Sequence, residues 1–153
     1  MPAAGFSGIL KLIHIVFAAA WVGGAVLLSI YGFRLTKAGP ADKIAFSKMA
    51  LTAGRLFAGF AAVTLAAGTW LVIREDPVFG FDQAWIGIGF LGIIVGAVLG
   101  PAFYAPQARA LIGELEAGNP ASSAREKRIG MVSMLEVILL LVVVWAMVYK
   151  PGL

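Results

Sequence analysis

Four long apolar runs constrain this chain more than any other feature: about Ser7 to Phe33, Leu51 to Ile73, Gln83 to Tyr104 and Gly130 to Tyr149. A helix crosses the hydrocarbon core of a bilayer with ~20 apolar residues, and each run supplies them. In lipid the backbone has no water to bond to, so elements of this length must satisfy their own N–H and C=O groups, as helices do. Composition agrees: 61% of residues are hydrophobic and 13% charged, where a soluble domain carries about 25% charge. The sequence therefore predicts an all-α fold, a membrane-embedded four-helix bundle that forms one integral membrane domain over residues 1–153, with the lipid bilayer as its first partner. The first run has no basic stretch ahead of it. It also outlasts the ~7–15-residue apolar core of a cleavable signal, so it reads as a span that stays.

Charge orients the spans. One connection, Arg34 to Arg55, carries Arg34, Lys37, Lys43, Lys48 and Arg55, and another, Gln107 to Ile129, carries Arg109, Arg125, Lys127 and Arg128. The opposite side has only Lys11, Arg74 and Lys150, with acidic Glu75, Asp76 and Asp82 between the second and third runs. Nine basic residues against three place both basic loops in the cytoplasm and both termini outside. The net charge of +4 is then a consequence of topology and does not point to nucleic acid. No cysteine is present, which excludes disulfides, iron–sulfur ligation and thiolate zinc sites. Within the loops, Asp42 is the expected N-cap of a helix carrying Ile44, Phe46 and Met49 along the membrane surface. Gly118 to Pro120 should end any extension of the third span, Ser123 and Glu126 have capping-box spacing ahead of the fourth, and Pro101 should kink the third.

The first span carries the candidate site. In "LKLIHIVFAAAW", Lys11, His14, Ala18 and Trp21 are three, four and three residues apart, hence on one helical face. Taken alone, Lys11 is explained by snorkelling to the outer headgroups. His14, the only histidine, is either a buried histidine bonded to a neighbouring helix or a metal, haem or proton-transfer ligand. A lipid-facing imidazole would be unsatisfied, so the face should turn inward, towards an enclosed outer-leaflet pocket bordered by His14, Trp21 and Gly89, with room for a haem, a lipid tail or a quinone-like ring. The third span places Gly92, Gly96 and Gly100 at four-residue spacing, with Gly89 extending the bare side. Such a ridge admits a neighbouring helix closely or leaves a flat slot for a planar ligand. Near the cytoplasmic end, Arg55 on the second span and Glu136 on the fourth stand at matching depth, and a structural ion pair between them is expected.

These motifs resemble a known group. "LKLIHIVFAAAWVGG", "RLFAGFAAVTLAAGTWL" and "LEVILLLVVVWAMVYKPGL" are similar in order and spacing to three of the four spans of the HemJ-type protoporphyrinogen oxidases, small four-span bacterial membrane proteins. The pattern is also similar to CopD-type copper-resistance proteins. The closest likeness is to an uncharacterised family of small bacterial membrane proteins, with H-x6-W-x-G-G on the first span, a tryptophan opening the third (Trp85), and a proline and basic residue near its end (Pro101, Arg109). By alignment, Gly89 and Gly100 stand where the HemJ pattern has a lysine and a second histidine, and Ile138 where it has a proline. The resemblance implies a bacterial inner-membrane location and haem b, with His14 as the iron ligand, Trp21 against the macrocycle and Lys11 near a propionate. A second axial ligand would then be Met147, the methionine on the outer side, or a partner's histidine in a homodimer. The alternatives are a non-enzymatic accessory subunit of a larger membrane complex, or a copper-handling protein. One histidine with scattered methionines offers few of the soft ligands that Cu(I) prefers.

Overall fold

The structure, a computed structural model, describes residues 2–74 and 80–152. It is all-helical among these residues. Helix α1 (Pro2–Arg34) ends in a tight 3-10 turn (Leu35–Lys37) and is followed by α2 (Pro40–Arg74). Helix α3 (Ala84–Leu99) passes through a π-helical turn (Gly100–Tyr104) into α4 (Ala105–Glu116), and α5 (Ala121–Tyr149) closes the chain. Counting α3, the π-turn and α4 as one rod, four helices are long and apolar enough to cross a membrane. Their outward surfaces are rich in large apolar side chains such as Leu12, Leu27, Leu56 and Val148, as a lipid-facing bundle requires.

The helices are longer than the apolar runs. The hairpin after α1 is closed by Thr36, whose hydroxyl donates to the Phe33 carbonyl, and α2 starts at Pro40. Proline suits the first helical position because its missing N–H has no partner there anyway. Asp42 therefore stands inside the first turn, where its charge complements the helix dipole, and is not the N-cap expected from the sequence. Pro101 does not end its helix. The chain absorbs the missing N–H by widening into the π-turn and then continues to Glu116. Gly118, at φ +63°, makes the left-handed stop that a glycine allows. The expected capping box at Ser123 and Glu126 is not used. Helix α5 begins earlier, at Ala121, whose N–H is capped by the Asn119 side chain at 2.9 Å. Glu126 instead accepts from Lys43 Nζ at 2.9 Å, tying α5 to α2. Arg125 forks onto both Glu114 oxygens, at 2.8 and 2.6 Å, and fastens α5 to α4. Glu75 and Asp76 of the acidic connection lie outside the described residues.

Neighbouring pairs are α1 with α2, α2 with α3, α3 with α5, and α5 with α1. This up-and-down ring puts α1 opposite α3 and α2 opposite α5. The core is built from small residues and a few large ones, as membrane helices pack. Trp21 reaches across the centre to α3, packing with Ala61 and Leu140, while Val72, Trp85, Ile86 and Ala146 form a second cluster near the end that carries the termini. The glycine ridge is used for helix packing. A Cβ at Gly89, Gly92 or Gly96 would overlap Met147, Val143 or Trp21 respectively, whereas one at Gly100 would meet nothing.

Candidate functional site

Between α1, α2, α3 and α5, at the termini end, lies a cavity of about 290 Å³ that is partly open, where the sequence predicts an enclosed one. His14 borders it, because α1 and α2 are neighbours and α2 offers the imidazole a seat. Nδ1 lies 2.9 Å from the Thr64 carbonyl oxygen. A carbonyl can only accept, so in the neutral ring Nδ1 carries the proton and Nε2 keeps its lone pair. Gly68, one turn beyond Thr64, makes this approach possible: a Cβ there would stand 2.9 Å from His14 Cε1 and 3.0 Å from Nδ1. That Cβ position is 3.9 Å from Nε2, the nitrogen turned away from α2. A histidine whose Nδ1–H is held by a backbone carbonyl is the arrangement that fixes tautomer and ring angle in metal-ligating histidines.

Thr64 adds a second polar feature. Its side chain is 3% exposed and its hydroxyl, in the cavity wall, has no hydrogen-bond partner. A buried unsatisfied hydroxyl costs ~1–3 kcal/mol, so a bound polar group there is favoured. Met147 and Gly89 complete the inner wall, with the Met147 methyl occupying the space a side chain at position 89 would take. The flat slot expected at Gly89 is thus a methionine seat. Lys11 and Lys150 stand at the rim, where Lys150 Nζ sits 5.4 Å from the centre of the Trp85 ring. Trp85 is anchored in turn by donating from Nε1 to Gln83 Oε1 at 3.0 Å.

Of the residues singled out by sequence, Lys11, His14 and Gly89 line this one cavity. Trp21 does not. It lies two turns deeper, 6% exposed, and its cluster closes the inner end through Ile93, which borders both. Arg55 and Glu136 are not brought together either. The two helices run in the same direction at opposite corners of the ring, and Arg55 is exposed on the bundle surface. Glu136 instead faces α3 and the π-turn, with Oε1 3.6 Å from the Cβ position of Gly96 and Tyr104 beside it. Thr64 and Gly68 were not apparent as site residues from the sequence. Their T-x-x-x-G spacing is the small-residue signal that could have marked them. Among the described residues no three histidine, cysteine or carboxylate side chains gather as a metal site.

Fold and cavity together define a class: a small multi-pass membrane protein of four spanning helices with a ligand-sized recess at one end. The chain matches no protein-family model, no curated protein and no solved structure.

Proposed function

We propose that this protein binds haem b, or a porphyrin-like ring, in the outer-leaflet recess, where His14 would hold the metal through Nε2. The observation that carries this reading is the Nδ1 contact with Thr64, which leaves Nε2 as the ligating nitrogen on a ring held from behind. The residues fit the group. The recess is at the lower edge of the range of about 300–1,000 Å³ typical of small-molecule pockets, and its open side leaves room for a larger ring. Its walls are largely apolar, and Met147 offers a thioether on a neighbouring helix as a second donor. The two rim lysines suit carboxylates at the outer interface. Haem would supply one-electron redox chemistry, and this chain would supply ligand field, orientation and exclusion of water.

The resemblance to the HemJ-type oxidases supports His14 as the ligand but does not extend to porphyrinogen oxidation. The positions matching that family's lysine and second histidine are Gly89 and Gly100 in this sequence. A second reading is a non-enzymatic packing subunit of a bacterial inner-membrane complex. It is favoured by the glycine ridge, whose room at Gly89, Gly92 and Gly96 is already taken by side chains of the bundle. The purified protein decides between them. A Soret band with reduced-minus-oxidised haem b peaks, lost in His14→Ala and restored by added imidazole, is expected. A colourless preparation after haem supplementation refutes the haem reading. The orientation, termini outside, is tested by C-terminal fusions: a reporter active only outside the cytoplasm should work there, and activity of a cytoplasm-only reporter overturns it.

A further inference from the structure

At the other end of the bundle is a second polar cluster, separated from the recess by the Trp21 core. Glu136 on α5, Tyr104 at the close of the π-turn, and Ser133 one turn before Glu136 lie together, with Ser29 of α1 behind them. Hydrogens in this cluster can be counted. Ser29 Oγ donates to the Ala25 carbonyl at 2.8 Å, so the hydrogen between Ser29 and Ser133 belongs to Ser133. Ser133 therefore turns only lone pairs towards Tyr104 and Glu136. Tyr104 Oη is buried and makes no hydrogen bond of good geometry, although it stands beside both. The Tyr104 and Ser133 hydroxyls and the two Glu136 carboxylate oxygens thus converge inside a spanning segment, with the Tyr104 hydrogen the one hydroxyl hydrogen not already committed.

Among the described residues no basic side chain is paired with the carboxylate. Neither ion pair of the described residues, Lys43–Glu126 or Arg125–Glu114, includes Glu136. Of the groups on the surrounding elements, Tyr104 is the titratable one in contact. Arg128, two turns before Glu136 on α5, lies over the Phe103 ring at 5.6 Å, and Arg55 and Arg109 are exposed. The facing parts of α1 and α3 present Trp21, Ser29 and Gly96, which carry no charge. An isolated carboxylate in a spanning helix is strongly disfavoured, and in membrane transporters such a group near interrupted helical backbone is where protons and sodium ions bind. The π-turn at Pro101 supplies that interruption here.

We propose that Glu136, Tyr104 and Ser133 form a monovalent-cation site, distinct from the His14 recess, in which a proton or a sodium ion neutralises the Glu136 carboxylate. The oxygen-only ligand set suits a hard cation, and the single carboxylate matches a single positive charge.

The test uses the full chain in sodium-free micelles and the apolar reagent dicyclohexylcarbodiimide, which adds to a protonated carboxyl in apolar surroundings. Labelling is read by peptide mass. Glu136 should label, with a rate falling about tenfold per pH unit above its midpoint, and Glu136→Gln should remove that label. If sodium is the occupant, adding it at fixed pH slows labelling; if only a proton binds, sodium has no effect and the pH curve stands alone. In either case Tyr104→Phe and Ser133→Ala should displace the pH midpoint or weaken sodium protection. Absence of Glu136 labelling at every pH without sodium, in protein whose helical content is intact, overturns the site. So do pH and sodium curves identical to wild type in both hydroxyl variants, which would place the carboxyl outside the cluster. Neither result bears on whether haem binds at His14.

Discussion

Gly68→Ala examines the seat of His14 with the smallest possible perturbation. The added methyl would stand 2.9 Å from His14 Cε1 and 3.0 Å from Nδ1, inside any relaxed carbon contact, and this is the same ring edge that the Thr64 carbonyl, one turn away on α2, holds at 2.9 Å. The imidazole must move off that carbonyl. Losing the hydrogen bond costs ~0.5–1.5 kcal/mol. Overpacking of a close contact costs ~1–3 kcal/mol. Replacing a mid-helix glycine by alanine returns roughly 0.5–1 kcal/mol. The net destabilisation should be about 0.5–4 kcal/mol, centred near 2. Gly59 on the same helix is the control, because a Cβ there meets nothing within 4 Å, so Gly59→Ala should be neutral or slightly stabilising. Denaturant unfolding in mixed micelles reads both as midpoint shifts at constant slope. The decisive arm is the His14→Ala background. With the ring gone, Gly68→Ala should lose its penalty and behave like Gly59→Ala, giving a coupling of the size of the clash and bond together. An equal penalty with and without the imidazole would show that Gly68 serves only helix packing, and the account of the seat would fail.

The Glu114–Arg125 fork makes the basic-loop end acid-sensitive. The Arg125 hydrogen bonds hold the Glu114 carboxyl below its usual range, so its stabilisation is present above the unfolded-state value and lost as pH falls through the lower folded-state value. Hydrogen exchange around Gly118 should rise across that acidic window, and Arg125→Ala should show the faster exchange at neutral pH already. For Lys43–Glu126, whose side chains are 17% and 18% exposed, Lys43→Glu or Glu126→Lys alone should cost about 0.5–1 kcal/mol, with the charge-swapped double variant recovering most of it; strict additivity in unfolding midpoints would show no interaction. Gly92→Ala should cost ~1–3 kcal/mol through its overlap with Val143, and Val143→Ala in the same chain should relieve it, as read by the same midpoints.

The four spans were legible because lipid imposes a length and an apolarity that few other sequences meet. Their ends were legible from caps and not from hydropathy: helix α2 begins at Pro40 and α5 at Ala121, a few residues before the caps expected at Asp42 and Ser123 and well before the apolar runs at Leu51 and Gly130. The extra turns carry Lys43, Lys48, Arg125 and Lys127, which are good helix formers but invisible to hydropathy. Pro101 was legible as a disturbance, yet its form was not. A proline in isolation predicts a kink or an end, whereas tertiary contacts of α4 with α2 and α5 carry the helix through a π-turn to Glu116.

The candidate site divides along the same line. Position along a span can be read from the sequence, and Lys11, His14 one turn further along, and Gly89, expected in the same half of the bundle, all border the recess. The angle around the bundle cannot, because it depends on which helices become neighbours. His14 meets Thr64 because α1 lies against α2, and Arg55 misses Glu136 because α2 and α5 take opposite corners. Two polar side chains thus face the same problem of burial with different means. The imidazole is satisfied by a backbone carbonyl that tolerates a second donor, made reachable by a glycine one turn away. The carboxylate lies beside the Tyr104 and Ser133 hydroxyls and, among the described residues, is paired with no basic side chain, which is the observation behind the proposed cation. The first arrangement fixes the ring through Nδ1; the second is the one proposed to take an exchangeable cation.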